Sequence, residues 1–97
     1  SEEYVWFIAL REREVVGFIP VEQKNRKKAV INNYYVKAEG AEREEILSLL
    51  LPAVTAKFEP ESWLLNSITL IQDKEIFEKF EFTSLDKKWT RYVKMYR

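Results

Sequence analysis

The chain contains no cysteine and no histidine. Without cysteine there are no disulfides, no thiolate nucleophile and no cysteine ligands for zinc. Without histidine there is no imidazole base, no Ser-His-Asp triad and no ordinary transition-metal site. Any chemistry must therefore rest on carboxylates, lysine, tyrosine, hydroxyls or backbone N–H groups. An excess of either charge is also missing: 16 Lys and Arg balance 16 Asp and Glu. A nucleic-acid binder usually carries a basic surplus to neutralise phosphates, so no nucleic-acid partner is expected. No apolar run is long enough to span a bilayer, and no membrane partner is expected. The lack of cysteine and of a secretory signal fits a reducing cytoplasm, the expected location. Ser1 in the place of an initiator methionine points to residues upstream. Glycine and proline are scarce, 2 and 3 among 97 residues, which excludes a low-complexity chain.

What is present is a 46% hydrophobic complement, enough for one core in a single domain over residues 1–97. Tyr4–Leu10 is aromatic and β-branched and reads as a strand; being nearly all apolar, it is expected to be covered on both faces. A charged turn, Arg11–Glu14, leads to a second strand, Val15–Val21, in which Pro20 belongs near an edge or strand end. The basic segment Lys24–Lys28 falls between strands and reads as a solvated hairpin turn. A third strand covers Lys28–Val36, and its Asn32-Asn33 pair marks either a ligand-facing patch or a bulge or sheet end. In Glu42–Phe58, residues Ile46, Leu47, Leu50, Val54 and Phe58 recur at helical spacing, with acids leading and Lys57 near the end. Pro52 inside that helix costs about 3 kcal/mol and predicts a kink. A largely buried strand follows at Trp63–Ile71, then a short helix capped by Asp73 and running through Phe80. A turn at Thr83–Asp86 precedes a last strand, Lys88–Tyr96. The order predicts an α/β (α+β) domain: a mixed, mostly antiparallel sheet of about five strands with two helices.

Several short motifs accompany that order. The hairpin IALREREVVGFI (Ile8–Ile19), the run NNYYVKAEG (Asn32–Gly40), the segment FEKFEF (Phe77–Phe82) and the closing RYVKMYR (Arg91–Arg97) together resemble the GNAT acetyltransferase superfamily. The resemblance implies the acyl-CoA N-acyltransferase fold, with the family's first strand and first two helices unrepresented. It also implies that Ala41–Ile46 lie where the family binds the pyrophosphate of acetyl-CoA through a glycine-rich loop. No glycine stands there, and Gly40 lies just before it; a β-carbon obstructs the approach of a phosphate to the backbone. Glu42, Glu44 and Glu45 add repulsion, roughly 1–3 kcal/mol for a carboxylate about 6 Å from a phosphate charge. Arg43 could offset part of this by turning inward.

At Phe77 the family commonly has a tyrosine that protonates the departing thiolate, and phenylalanine has no proton to give. Glu81 replaces a glycine that usually ends the last helix. The resemblance implies that an acyl-pantetheine arm, if bound, would pair with backbone groups of Tyr34, Tyr35 and Val36, with Arg43 as the remaining cofactor contact. In an active enzyme, Tyr34, Tyr35 or Glu39 could relay a proton from an amine.

The expectation is a non-catalytic or atypical acetyltransferase-like module with no catalytic residue assigned and no bound cofactor. The alternative is an active acetyl-CoA-dependent N-acetyltransferase with a divergent pyrophosphate loop. Sheet edge and apolar surface left uncovered by the unrepresented elements predict a protein partner or a homodimer. Glu39, Glu42, Glu44 and Glu45 could in principle hold a hard cation, but acids in a first helical turn usually answer the helix dipole; no metal site is assigned.

Overall fold

Glu12 and Arg13, at φ 50° and 71°, reverse the chain in two left-handed residues. That geometry matches the right-handed twist of the strands it joins. It connects β1 (Glu3–Arg11) to β2 (Glu14–Lys24), which pair antiparallel. A second left-handed pair, Arg26 and Lys27, turns the basic segment as expected and leads into β3 (Lys28–Ile31). β4 (Tyr35–Val36) pairs with β2 through Gly17↔Val36 and Phe18↔Tyr35. α1 (Gly40–Phe58) crosses over to β5 (Leu64–Leu70), which lies parallel to β3. α2 (Lys74–Lys79), β6 (Thr83–Lys88) and β7 (Tyr92–Tyr96) complete the order. The structure, a computed structural model, describes residues 3–88 and 91–97; Trp89 and Thr90 of the predicted last strand lie outside them.

The sheet has seven strands in the order β1-β2-β3-β5-β7-β6, with β4 attached to β2, rather than five. One extra strand arises because the predicted Lys28–Val36 strand breaks at Asn32–Tyr34, where the chain parts from β5 and its pairing with β2 is interrupted before resuming at Gly17 and Phe18. At that break Asn32 Nδ2 donates to Glu22 Oε1 at 2.8 Å. The other extra strand is β6, whose Thr83 and Ser84 look like turn residues but pair with Tyr96 and Met95.

Both helices cover one face of the sheet. Ile46, Leu47, Leu50, Leu51, Val54 and Phe58 of α1 meet Ile19, Val21, Ile31 and Val93 of the strands in one core. Pro52 does not break α1, which runs unbroken through it. Gly17 lets the layers approach: a Cβ there would stand 3.0 Å from Ile46 Cγ2 and 3.1 Å from the Tyr35 carbonyl oxygen.

The opposite face is open, which corrects the expectation for β1. Alternation turns Val5, Phe7 and Ala9 toward the helices and leaves Tyr4, Trp6, Ile8 and Leu10 exposed, Trp6 at 56% and Leu10 at 65%. Trp6 packs on Phe18 and Phe18 on Tyr35 across that open face, at ring separations of 5.6 and 5.4 Å.

Candidate functional site at the strand splay

The parallel ladder between β3 and β5 runs from Lys28↔Leu64 to Ile31↔Ser67 and ends there. Beyond it β5 continues to Leu70 while the other chain veers to β2. Such a divergence leaves backbone groups that need partners. Tyr34 supplies one: its hydroxyl accepts the Leu70 N–H at 3.0 Å and donates to Asp73 Oδ2 at 2.6 Å.

Asp73 is held from the other side by Arg43. Arg43 Nε donates to Oδ1 at 2.7 Å and Nη2 to Oδ2 at 2.8 Å, a two-pronged pairing. The remaining Arg43 nitrogen, Nη1, donates to the carbonyls of Ala38 at 3.2 Å and Val36 at 3.4 Å. Arg43 is 7% exposed and Asp73 3%. Among the described residues no buried side-chain nitrogen or oxygen lacks a partner, so the network is complete as it stands. Burial, and then the hydrogen bond to the Asp73 carboxylate, push the Tyr34 hydroxyl well above the ordinary tyrosine range, so it stays protonated. The same carboxylate raises Arg43, against the opposing effect of burial. The Tyr34 ring lies 5.6 Å from Phe77, which in turn meets Phe82 edge-on at 5.2 Å.

Asp73 was expected to cap α2, but it makes no side-chain cap bond. Its carboxylate is fully engaged by Arg43 and Tyr34 instead. Arg43 does turn inward, toward Asp73 rather than toward a phosphate. Its position was readable: it precedes Ile46, Leu47 and Leu50 by three, four and seven residues, which puts it on the buried stripe of α1. Asp73, thirty positions away on a short 3-10 turn (Ile71–Asp73), left no comparable signal.

Residues Ala41–Ile46 are already helix, because α1 starts at Gly40, which adopts φ 61°. The amides of Gly40, Ala41 and Glu42, like those of any first turn, have no partner within the helix. Glu42 and Glu45 both pair with Arg11 of β1, the latter at 3.1 Å. Glu39 stands 3.9 Å from Arg43. A narrow cleft of about 160 Å³ beside Gly40 is lined by the acids Glu44, Asp73 and Glu75, with Arg43 as its one cation. Of the candidate cofactor residues, Tyr34 and Arg43 therefore meet at Asp73 and the Val36 carbonyl accepts from Arg43, whereas the exposed Tyr35 packs on Phe18 at the open face. Phe77 is fully buried beneath Tyr34. Glu81 takes φ 71° in the left-handed turn where the family's glycine was expected.

No protein-family model matches the sequence, and no curated protein is significantly similar to it. Solved structures do match. PaiA N-acetyltransferase from Thermoplasma acidophilum, in complex with coenzyme A, superposes with a TM-score of 0.77 at 17% identity over 98% of this chain and 60% of its own. An aminoglycoside 6'-N-acetyltransferase from Enterococcus faecium gives 0.76 at 13% identity, over 98% and 74%. An acyl-CoA N-acyltransferase from Pseudomonas aeruginosa gives 0.69 at 9% identity, over 95% and 66%. The chain thus spans 60% and 66% of the length of two of these three. The seven-stranded sheet and two helices of this chain have the fold of the GNAT N-acetyltransferases.

Proposed function

We propose that the domain is a non-catalytic acetyltransferase-like binding module, working in the cytoplasm without a bound cofactor. The observation that carries this reading is the Tyr34 plug. The resemblance puts an acyl-pantetheine arm against the backbone of Tyr34, Tyr35 and Val36, with Arg43 as a further contact. Here the Tyr34 hydroxyl already takes the Leu70 N–H, and Arg43 is committed to Asp73. An arm entering the splay would have to displace Tyr34 and strip a donor from a buried carboxylate, which is costly in a low-dielectric interior. Glu42 in the first turn of α1 opposes a diphosphate, and Phe77 has no proton for a thiolate.

The test is thermal unfolding with acetyl-CoA and with coenzyme A up to millimolar concentration. The expected result is an unchanged midpoint. A midpoint that climbs steadily with ligand would overturn the reading, since a ligand that binds only the folded state stabilises it by mass action.

The second reading is an active N-acetyltransferase with acetyl-CoA as cofactor. One observation favours it: Gly40 turns left-handed in open space, with nothing within 4 Å of where a Cβ would stand. A phosphate could approach the amides of that first turn from there. The same titration decides between the two.

A further inference from the structure

We propose that Tyr34 is an internal latch: its hydroxyl holds the Leu70 amide in place of a pantetheine carbonyl, and this one side chain, more than the acids of α1, keeps a pantetheine arm out of the splay. The inference rests on the non-catalytic reading and names the residue that decides it.

The backbone of β5 shows what the hydroxyl replaces. Leu64 N–H donates to the Lys27 carbonyl at 2.8 Å, at the foot of the β3–β5 ladder. Amides facing one neighbour recur at every second residue of a strand, and their acceptors advance in step along a parallel partner. Asn66, Ile68 and Leu70 therefore turn their N–H groups to the same side as Leu64. Regular pairing would carry the acceptors from Lys27 through Ala29 and Ile31 to Asn33. The ladder stops at Ile31↔Ser67 instead, and the Leu70 N–H goes to the Tyr34 hydroxyl at 3.0 Å. The phenol oxygen thus fills the slot of a strand carbonyl. A pantetheine arm is a linear chain of secondary amides, and its carbonyls suit the same slot.

The facing wall is satisfied in a similar way. Arg43 Nη1 donates to the carbonyls of Val36 and Ala38, on the chain that has parted from β5. Asp73 joins the two walls, accepting from Tyr34 at Oδ2 and from Arg43 at both oxygens. The bridge has one removable member. Loss of Arg43 or Asp73 strands a buried charge, whereas loss of Tyr34 leaves the carboxylate both of its bonds from Arg43. Tyr34 also belongs to a stretch, residues 32–34, outside any strand. Its ring contact with Phe77 and its two hydroxyl bonds do the holding that a ladder does elsewhere.

The probe is pantetheine, which has the amide chain and no phosphate, so Glu42 does not bear on the result. Thermal unfolding of the parent chain should be unchanged up to millimolar pantetheine. Tyr34→Ala should start from a lower midpoint and climb with ligand, by roughly 4–8 °C once pantetheine is about five times its dissociation constant. Tyr34→Leu, which keeps apolar bulk against Phe77, takes its place if Tyr34→Ala does not fold. Hydrogen exchange at one amide adds a readout that a merely structural role would not move. The Leu70 N–H should exchange about tenfold faster in the variant, and pantetheine should restore its protection. A variant that is folded by circular dichroism, yet gains neither stability nor Leu70 protection from pantetheine, would overturn the latch. The coenzyme titration is independent: a parent chain stabilised by coenzyme A sinks the non-catalytic reading and the latch together, whereas a folded variant indifferent to pantetheine sinks only the latch.

Discussion

Where the β3–β5 ladder ends at Ile31 and Ser67, the gap beyond is filled from within by Tyr34, Asp73 and Arg43. Along the outer side of β1, nine residues have no described strand beside them, and the groove between β1 and α1 is lined by apolar side chains together with Arg11. Both are places where a sheet stops pairing, and both leave backbone groups to satisfy. The first is closed by a buried ion pair and a phenol, an arrangement that tolerates no loss of a member. The second is bordered by the exposed side chains of Tyr4, Trp6, Ile8 and Leu10.

Substitutions can break the comparison at either end. The largest effect is expected at Asp73→Ala, which leaves the Arg43 guanidinium buried without its partner; chemical denaturation should show a loss of about 3–5 kcal/mol. Tyr34→Phe keeps the ring but leaves the Leu70 N–H unpaired, a loss of about 1–3 kcal/mol. That variant also has a pH signature. The folded state raises the Tyr34 pKa above the ordinary value of about 10, so unfolded chains release this proton first. The stabilisation is complete below pH 10 and is lost as pH rises beyond it. Tyr34→Phe should therefore flatten the alkaline decline seen in the parent chain.

Gly17→Ala forces a Cβ against Ile46 and the Tyr35 carbonyl, at about 1–3 kcal/mol, read from the denaturation midpoint. At the open edge the effects on folding should be small. Arg11→Ala removes exposed pairs with Glu42 and Glu45, worth at most about 1 kcal/mol and less as salt is added. Trp6→Glu removes the stack on Phe18 and should cost about 0.5–1.5 kcal/mol, read from the same denaturation midpoint.

Much of the architecture could be read directly from residue patterns. The periodicity of Ile46, Leu47, Leu50, Val54 and Phe58 places α1, the aromatic and β-branched runs place β1, β2 and β5, and the two-faced alternation over Lys88–Tyr96 finds β7, which starts only at Tyr92. Two strands were hidden for physical reasons. β6 opens with small polar residues that prefer turns in isolation, and only pairing with β7 makes it a strand. The break after Ile31 depends on where a distant strand, β5, stops being a neighbour. The exposure of Tyr4, Trp6, Ile8 and Leu10 was equally invisible, because an apolar run reads the same whether its second face is covered or bare. At the splay, the helical spacing of Arg43 announced its burial, but Asp73 and the reach of the Tyr34 hydroxyl are long-range facts.

The single parallel ladder among the described residues, β3 with β5, also divides the molecule's assembly in time. On one side of it the chain folds back on itself through β1, β2, β3 and β4; on the other, β6 and β7 close on β5. The β1–β2, β2–β3 and β6–β7 pairings join strands next to one another in sequence and form early, while the β3–β5 ladder must await closure of the whole α1 crossover. Substitutions at Ala29, Ile31, Leu65 or Ser67 should therefore weigh on the slow joining step, and the two halves are natural units of partial unfolding.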